Sequence, residues 1–269
     1  MSGKTARRQR QAPHRVPPPP VGGRGARRAS PKVLIAVGAA IVAAAVAIVL
    51  AVSLSGGGSS APSAPAVGSL TNALPGAAAV QKLLGGIPQS SNTLGDPGAP
   101  VTMAEYIDLQ CPYCGEFEST VFPRLVSRYV RTGQVRVEQR LLAFIGPDSV
   151  RGRSAAIAAG MQSKQFNFSE LLYLNQGTEN TGWLDENMVV AAAASIPGLR
   201  VPRMLTDAKS SQVSAKATAF DDEAKASGVS STPTILVGKT GGKLEPVAMS
   251  SPTDYEAVSA AITTAKGQG

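Results

Sequence analysis

The chain has 269 residues and a divided composition: all 18 acidic residues lie at or after Asp96 and all aromatics at or after Tyr106. The net charge of +8 therefore resolves into ten basic residues before Asp96 and, after it, 16 basic against 18 acidic residues. The basic pI thus describes the N-terminal part and gives no evidence of a nucleic-acid-binding surface on the rest. The single histidine, His14, also lies in that part, so Ser-His-Asp, Cys-His and histidine-metal chemistry are excluded from the remainder. About 170 residues remain there, enough for one domain with its own core.

Residues 1–32 are rich in Arg, Pro and Gly, hold nine basic residues and show no hydrophobic periodicity; they read as a disordered cytoplasmic tail. Residues 33–54 are 22 residues without a charge. At 1.5 Å per residue they extend roughly 33 Å, enough for one transmembrane helix. A cleaved signal peptide is the competing reading, but its apolar core is normally about 7–15 residues with a shorter basic lead. With every charge of the tail ahead of the span, the N-terminus stays cytoplasmic and the C-terminus is exported. Residues 55–89 are rich in Gly, Ser, Ala and Pro and read as a flexible linker, with a short helix possible over 77–84. The exported domain is expected over 90–269.

Within it, residues 101–109 read as a strand entered through Gly98-Ala99-Pro100. Cys111-Pro112-Tyr113-Cys114 follows. From Gly115 to about Arg131, Phe117, Val121, Leu125 and Tyr129 recur at helical spacing, with a kink expected at Pro123. Residues 135–142 read as a second strand. From about 148 to 227 the pattern is mostly helical. Residues 234–237 read as a short buried strand, with 244–249 returning as a hairpin. Ser251 is expected to cap a last helix, with Pro252 in its first turn and Asp254 at its third position.

Two thiols three positions apart at a strand-to-helix junction carry the chemistry. Cys111 sits where helix N–H groups are unpaired, which favours the thiolate. Cys114, one turn on, lies beside it and deeper. Cys111 then attacks or is attacked, and Cys114 resolves the mixed disulfide; Pro112 fixes φ in the first turn without wasting a donor. A structural disulfide, a zinc site and two inert thiols compete with this reading. The first would close an unusually short loop, the second lacks ligands, and the third conflicts with an oxidising location.

The segment Glu105-Tyr-Ile-Asp-Leu-Gln-Cys-Pro-Tyr-Cys-Gly-Glu-Phe117 resembles the active-site strand and helix of DsbA-like thiol:disulfide oxidoreductases of the thioredoxin superfamily. Gly228-Val-Ser-Ser-Thr-Pro-Thr234 is similar to that family's cis-proline loop, and 154–161 and 165–176 to its inserted helical domain. The membrane-anchored form resembles those of actinobacteria and other Gram-positive bacteria. The resemblance implies an α/β thioredoxin fold with a helical insertion at about 148–227. It implies Cys111 as nucleophile, Cys114 as resolving thiol and a cis Pro233 against the dithiol. Thr232 would offer its backbone to an extended peptide, in a substrate-binding site that also takes in Pro112 and Tyr113. Read alone, Pro233 is an ordinary trans proline opening a strand. Glu105 would be the buried acid serving Cys114; read alone, it is a solvent-facing strand residue. Tyr113 departs from the best-known oxidases, which carry histidine there, so the Cys111 pKa is expected to be lowered, but less than in the strongest of them.

The activity implied is oxidation of exported protein thiols. Reoxidation would come from a quinone-linked membrane partner of the DsbB or vitamin K epoxide reductase type, with no nucleotide or metal cofactor. A reductase or isomerase role and a non-catalytic binding or chaperone module are the alternatives. Asp108 is expected to be a loop or capping residue, Trp183 a core residue, Arg151 and Arg153 solvated, and Asp221-Asp222-Glu223 an exposed helix face.

Overall fold

A computed structural model describes residues 64–267. The expected basic tail and the span over 33–54 lie outside the described residues. Among the described residues no helix is long and apolar enough to cross a membrane.

The centre of the fold is β3 (Val101–Asp108), every residue of which is buried. It pairs in parallel with β4 (Val135–Leu142) and antiparallel with β5 (Thr234–Lys239). Two-residue strands complete the six-stranded sheet: β1 (Gln89–Ser90) and β2 (Thr93–Leu94) beyond β4, and β6 (Glu245–Pro246) beyond β5. The expected return strand over 244–249 thus pairs only at Leu236 with Pro246 and Val237 with Glu245. Pro246 has no N–H to donate and suits an edge. Continuous burial along β3 follows from cover on both faces, the usual state of a strand inside a layered α/β sheet.

The connection from β3 to β4 is α2 (Pro112–Thr120), a short α3 (Phe122–Leu125) and a π-helical turn (Val126–Val130). The break at Val121 coincides with Pro123 in the first turn of α3, because a proline cannot donate to the preceding turn. Between β4 and β5 lie α4 (Pro147–Gly160), α5 (Gln165–Tyr173), α6 (Glu186–Ala194), α7 (Val201–Asp207) and α8 (Ser211–Ala226). The side chains of Asp185 and Ser210 cap α6 and α8 by accepting from Met188 N and Val213 N. The last helix, α9 (Tyr255–Gly267), is capped by Asp254 and not by Ser251: its Oδ1 accepts from Ala257 N at 3.1 Å.

The sheet's two faces differ. Met103, Glu105 and Ile107 share one with Val137, Gln139 and Leu141, and α5 packs there, with Gln165 and Ser169 both bonded to Gln139. Phe122 and Phe166 stack on that side at 6.2 Å. The other face carries Tyr106, Arg136, Glu138 and Arg140, and α8 lies over part of it.

Two expectations are corrected here. The flexible linker does not run to residue 89. Residues 64–88 are folded against the domain, where α1 (Ala77–Leu84) buries Ala77, Val80 and Leu84. Val67 bridges to Arg200, and Arg131 donates to the carbonyls of Leu83 and Gly85. Three small-step apolar contacts on one helix face suffice to dock a segment whose composition otherwise looks like a tether. Arg153 is not solvated. Its side chain is 12% exposed and pairs with Asp221 at 2.7 Å, while Glu223 pairs with Arg140; α8 docks through Val213, Ala217, Phe220 and Ala224, with Asp221 and Glu223 half-exposed at its edge and Asp222 exposed as expected. Trp183 is partly buried against the core, as expected.

Candidate active site

Cys111 occupies the N-cap position of α2, with extended backbone angles, and Pro112 follows in the first turn. This is the local consequence of the sequence: β3 ends at Asp108, and a proline that needs no hydrogen-bond acceptor starts the helix. Cys111 is 5% exposed and Cys114 fully buried, and both are free thiols.

The turn is held from below by Asp108. Its carboxylate accepts from Gln110 N at 2.9 Å, Phe144 N at 2.7 Å, Ile145 N at 3.1 Å and Ser149 Oγ at 2.7 Å. Its carbonyl accepts from the Tyr173 hydroxyl at 3.0 Å. Asp108 is therefore a buried organiser that ties the end of β3 to the loop after β4 and to α4, a larger role than the loop or cap position expected. Gln176 holds the other side, donating to the carbonyls of Leu109 and Cys111 at 3.0 and 3.1 Å. A Cβ on Gly115 would sit 2.5 Å from Gln176 Oε1, so the residue after Cys114 must be small for this brace to reach.

The cis-proline loop closes the site from the far end of the sequence. The Thr232–Pro233 bond is cis. Cys111 Sγ donates to the Thr232 carbonyl at 3.4 Å. Tyr113 is 58% exposed. With Thr232, Pro233, Met249, Ser251 and Pro252 it lines a shallow groove of about 240 Å³ beside Cys111. Of the residues singled out in the sequence, Cys111, Cys114, Pro112, Tyr113, Thr232 and Pro233 are thus brought to one place. Glu105 lies inside the fold, on the strand leading to it.

The two thiols have opposite electrostatics. The Cys111 pKa is lowered to about 6, first through hydrogen bonding with the Cys114 thiol, with the amides of Cys114 and Tyr113 adding to it against the effect of burial. Helix N-terminal amides are the expected source of such stabilisation. A carbonyl accepts from a thiol and gives nothing to a thiolate, so the Thr232 contact belongs to the protonated form. Cys114 moves the other way: burial, then the neighbouring Cys111 sulfur, push its pKa well up.

Glu105 is wholly buried, its Oε1 accepting from Gln139 Nε2 at 2.9 Å. Burial first, and Glu118 second, push its pKa well above the ordinary carboxyl value. Two further buried acids went unread in the sequence. Glu118 on α2 and Glu170 on α5 are 1% and 4% exposed. Glu118 stands four residues after Cys114, which places both on one helix face; that spacing is the signal for it. No comparable signal marks Glu170. No group of three or more candidate ligands arranged for a metal ion occurs among the described residues.

A thioredoxin fold with a Cys-Pro-Tyr-Cys turn at the helix start, facing a cis-proline loop, defines a redox dithiol protein. A thioredoxin family model matches residues 89–263, and the chain belongs to this family. It is 29% identical over 151 residues, 55% of its own length and 70% of the relative's, to a probable disulfide bond formation protein D of Bacillus cereus. It is 26% identical over 149 residues to disulfide bond formation protein D of Bacillus subtilis, covering 54% of this chain and 66% of that one. In structure it resembles oxidised BdbD of Bacillus subtilis, with a TM-score of 0.57, 21% identity, and coverage of 66% of this chain and 96% of the other. It also resembles α-DsbA1 of Wolbachia pipientis, with a TM-score of 0.55, 20% identity, and coverage of 69% and 93%. The chain is a DsbA-like thiol:disulfide oxidoreductase.

Proposed function

We propose that the protein is an extracytoplasmic dithiol oxidase, held at the membrane by a span over residues 33–54, that introduces disulfides into exported proteins through Cys111 and Cys114. The observation that carries this reading is Cys111 at a helix N-cap against the cis Thr232–Pro233 loop with Cys114 fully buried one turn on, an arrangement that lowers the first thiol and raises the second. In the oxidised enzyme, a substrate thiolate attacks Cys111 Sγ, and Cys114 leaves with the electron pair of the broken disulfide. A second substrate thiolate attacks the substrate sulfur of the mixed disulfide. The substrate disulfide forms, and Cys111 departs as a thiolate, which its low pKa favours as a leaving group. Tyr113, Pro112, Thr232 and Pro233 line the approach, and the Thr232 backbone offers strand-like pairing to an extended peptide whatever its sequence. Glu105 accepts and returns the Cys114 proton. A quinone-linked membrane protein of the DsbB or vitamin K epoxide reductase type takes the two electrons from the reduced dithiol.

One observation favours a weaker oxidant or a reductase: Tyr113 supplies no positive charge to the thiolate. Direction is a matter of potential, and equilibration against glutathione measures it. A value well above thioredoxin's, about −270 mV, together with oxidation of a reduced, unfolded protein, supports the oxidase. A value at or below it makes the protein a reductase.

A further inference from the structure

Four carboxylate oxygens in the core next to the active site meet no N–H or hydroxyl donor: Glu105 Oε2, both oxygens of Glu118, and Glu170 Oε1; Glu118 and Glu170 meet each other, so a hydrogen bond between them needs a shared proton. They come from three elements: α2 and α5 pack against each other, and Gln139 on β4 bonds Glu105 of β3 as well as Gln165 and Ser169 of α5. The carboxyls sense one another: Glu118 acts on Glu105, Glu170 on Glu118, and Glu105 on Glu170. The buried Tyr173 senses Cys114, Glu118, Asp108 and Glu105 together, so the resolving thiol belongs to the same neighbourhood. Besides burial, the groups acting on the three acids are each other and Gln139. No cation is among them in the described residues.

A structural role does not explain this arrangement. Each buried polar group without a partner costs about 1–3 kcal/mol, and a shape-matched apolar residue would avoid that cost. Buried acids without a cation are held neutral at low pH and resist sharing more than one negative charge. Such a set stores protons.

We propose that Glu118 and Glu170 form a proton-sharing carboxyl pair which, with Glu105, takes up the proton of Cys114 when that thiol attacks and returns it when that sulfur is released. The inference rests on the dithiol reading above. Glu118 and Glu170 act through Glu105 and are positioning residues. In closure of the enzyme disulfide, Cys114 attacks the Cys111 sulfur of a mixed disulfide. The Cys111–Cys114 bond forms, the bond to the outer partner breaks, and that partner leaves as a thiolate with the electron pair. The Cys114 proton converts one carboxylate of the set into a carboxylic acid. In opening, a substrate thiolate displaces Cys114, and the resulting buried thiolate takes a proton back. Burial raises the Glu170 pKa, hydrogen bonding with Glu118 lowers it and the Glu105 charge raises it, leaving it at about 8, which keeps part of the set available as base at neutral pH.

The test uses the full chain with Glu118→Gln and Glu170→Gln, which preserve shape and remove the exchangeable proton. The first readout is the infrared difference spectrum between oxidised and reduced protein. The wild type is expected to show a protonated-carboxyl band that changes with redox state and weakens in each variant. The second is the pH profile for closure of a mixed disulfide between Cys111 and glutathione. The wild-type rate is expected to bend near pH 8, as an acid group of this pKa requires. Each variant is expected to lose the bend and close about tenfold more slowly at pH 7, with the Cys111 thiolate titration unchanged. If one variant does not fold, the other carries both readouts. The wild-type spectrum stands by itself, because a carboxyl region identical in both redox states overturns the proposal. Variants that keep the wild-type profile overturn it as well. Failure of the wild type to form any mixed disulfide would instead overturn the dithiol reading.

Discussion

Cys111 Sγ lies 3.4 Å from the carbonyl oxygen of Thr232, across 121 residues of sequence. The nucleophile is therefore held against the loop that enters β5, so the site is assembled from two segments far apart in the chain. Thr232 also lines the groove shared by Tyr113 and Pro233.

The thiolate is the first quantity to measure. Ultraviolet titration of the reduced protein is expected to show one thiolate with a pKa near 6, absent in Cys111→Ser. Because this folded-state pKa lies below the unfolded value of about 8.5, the thiolate contributes stability to the reduced fold. That contribution is full above the unfolded value and is lost as pH falls through about 6. Tyr113→His is expected to lower the pKa further, since an imidazolium beside the sulfur favours the thiolate. A wild-type value of about 8 or above contradicts the electrostatic account.

Asp108 accepts four hydrogen bonds inside the fold. Asp108→Ala leaves one buried and two part-buried amides and a buried hydroxyl without their acceptor and is expected to destabilise the protein by about 3–5 kcal/mol. Asp108→Asn keeps the volume and part of the accepting capacity and is expected to lose less. Urea denaturation of the two variants gives the comparison, and equal losses would contradict it.

Residues 64–88 belong to the folded unit. Removal of everything before residue 90 strips Val80, Leu84 and Ile87 from the core cluster. At about 1.5–3 kcal/mol for each buried side chain, the loss is a large part of a domain's stability. A chain starting at 64 is expected to melt cooperatively near the full-length temperature, and one starting at 90 far below it or not at all.

Glu170 gives stability the opposite pH dependence from Cys111. Its folded-state pKa of about 8 exceeds the unfolded value of about 4.3, so the folded state binds more protons between those limits. Stability contributed by this group is present at low pH and falls as pH rises towards 8, by up to about 1.4 kcal/mol per pH unit. Glu170→Gln is expected to flatten that decline and to stabilise the protein more at pH 8 than at pH 5. Thermal melts of the oxidised protein, in which Cys111 does not titrate, isolate the effect.

The sequence made the central elements legible where local physics decides them. The strand into Cys111 and the helix break at Pro123 follow from residue pattern and a missing N–H, whereas the last helix takes its cap from Asp254, three residues beyond the Ser251 that local pattern suggests. The packed state of residues 64–88 was hidden because their partners are distant. Leu74 N bonds to Ser195 Oγ and Pro75 O to Asn175, contacts that composition does not announce. Glu170 was hidden for a related reason. A glutamate in a helix ordinarily faces water, and only the packing of α5 against α2 and the sheet buries this one. The β3 position of Glu105 was readable, because an acid inside an otherwise apolar strand stands out.

The central claim is that Cys111 makes covalent contact with exported proteins and Cys114 releases it. The direct measurement is trapping on the full chain expressed in its native cells, with Cys114→Ser beside Cys111→Ser. Removing the resolving thiol is expected to accumulate mixed disulfides through Cys111 that dissolve on reduction, with exported, cysteine-containing proteins as the captured partners. Cys111→Ser is expected to capture none. Equal absence of captured partners from both variants, with the wild type fully active, would contradict the account.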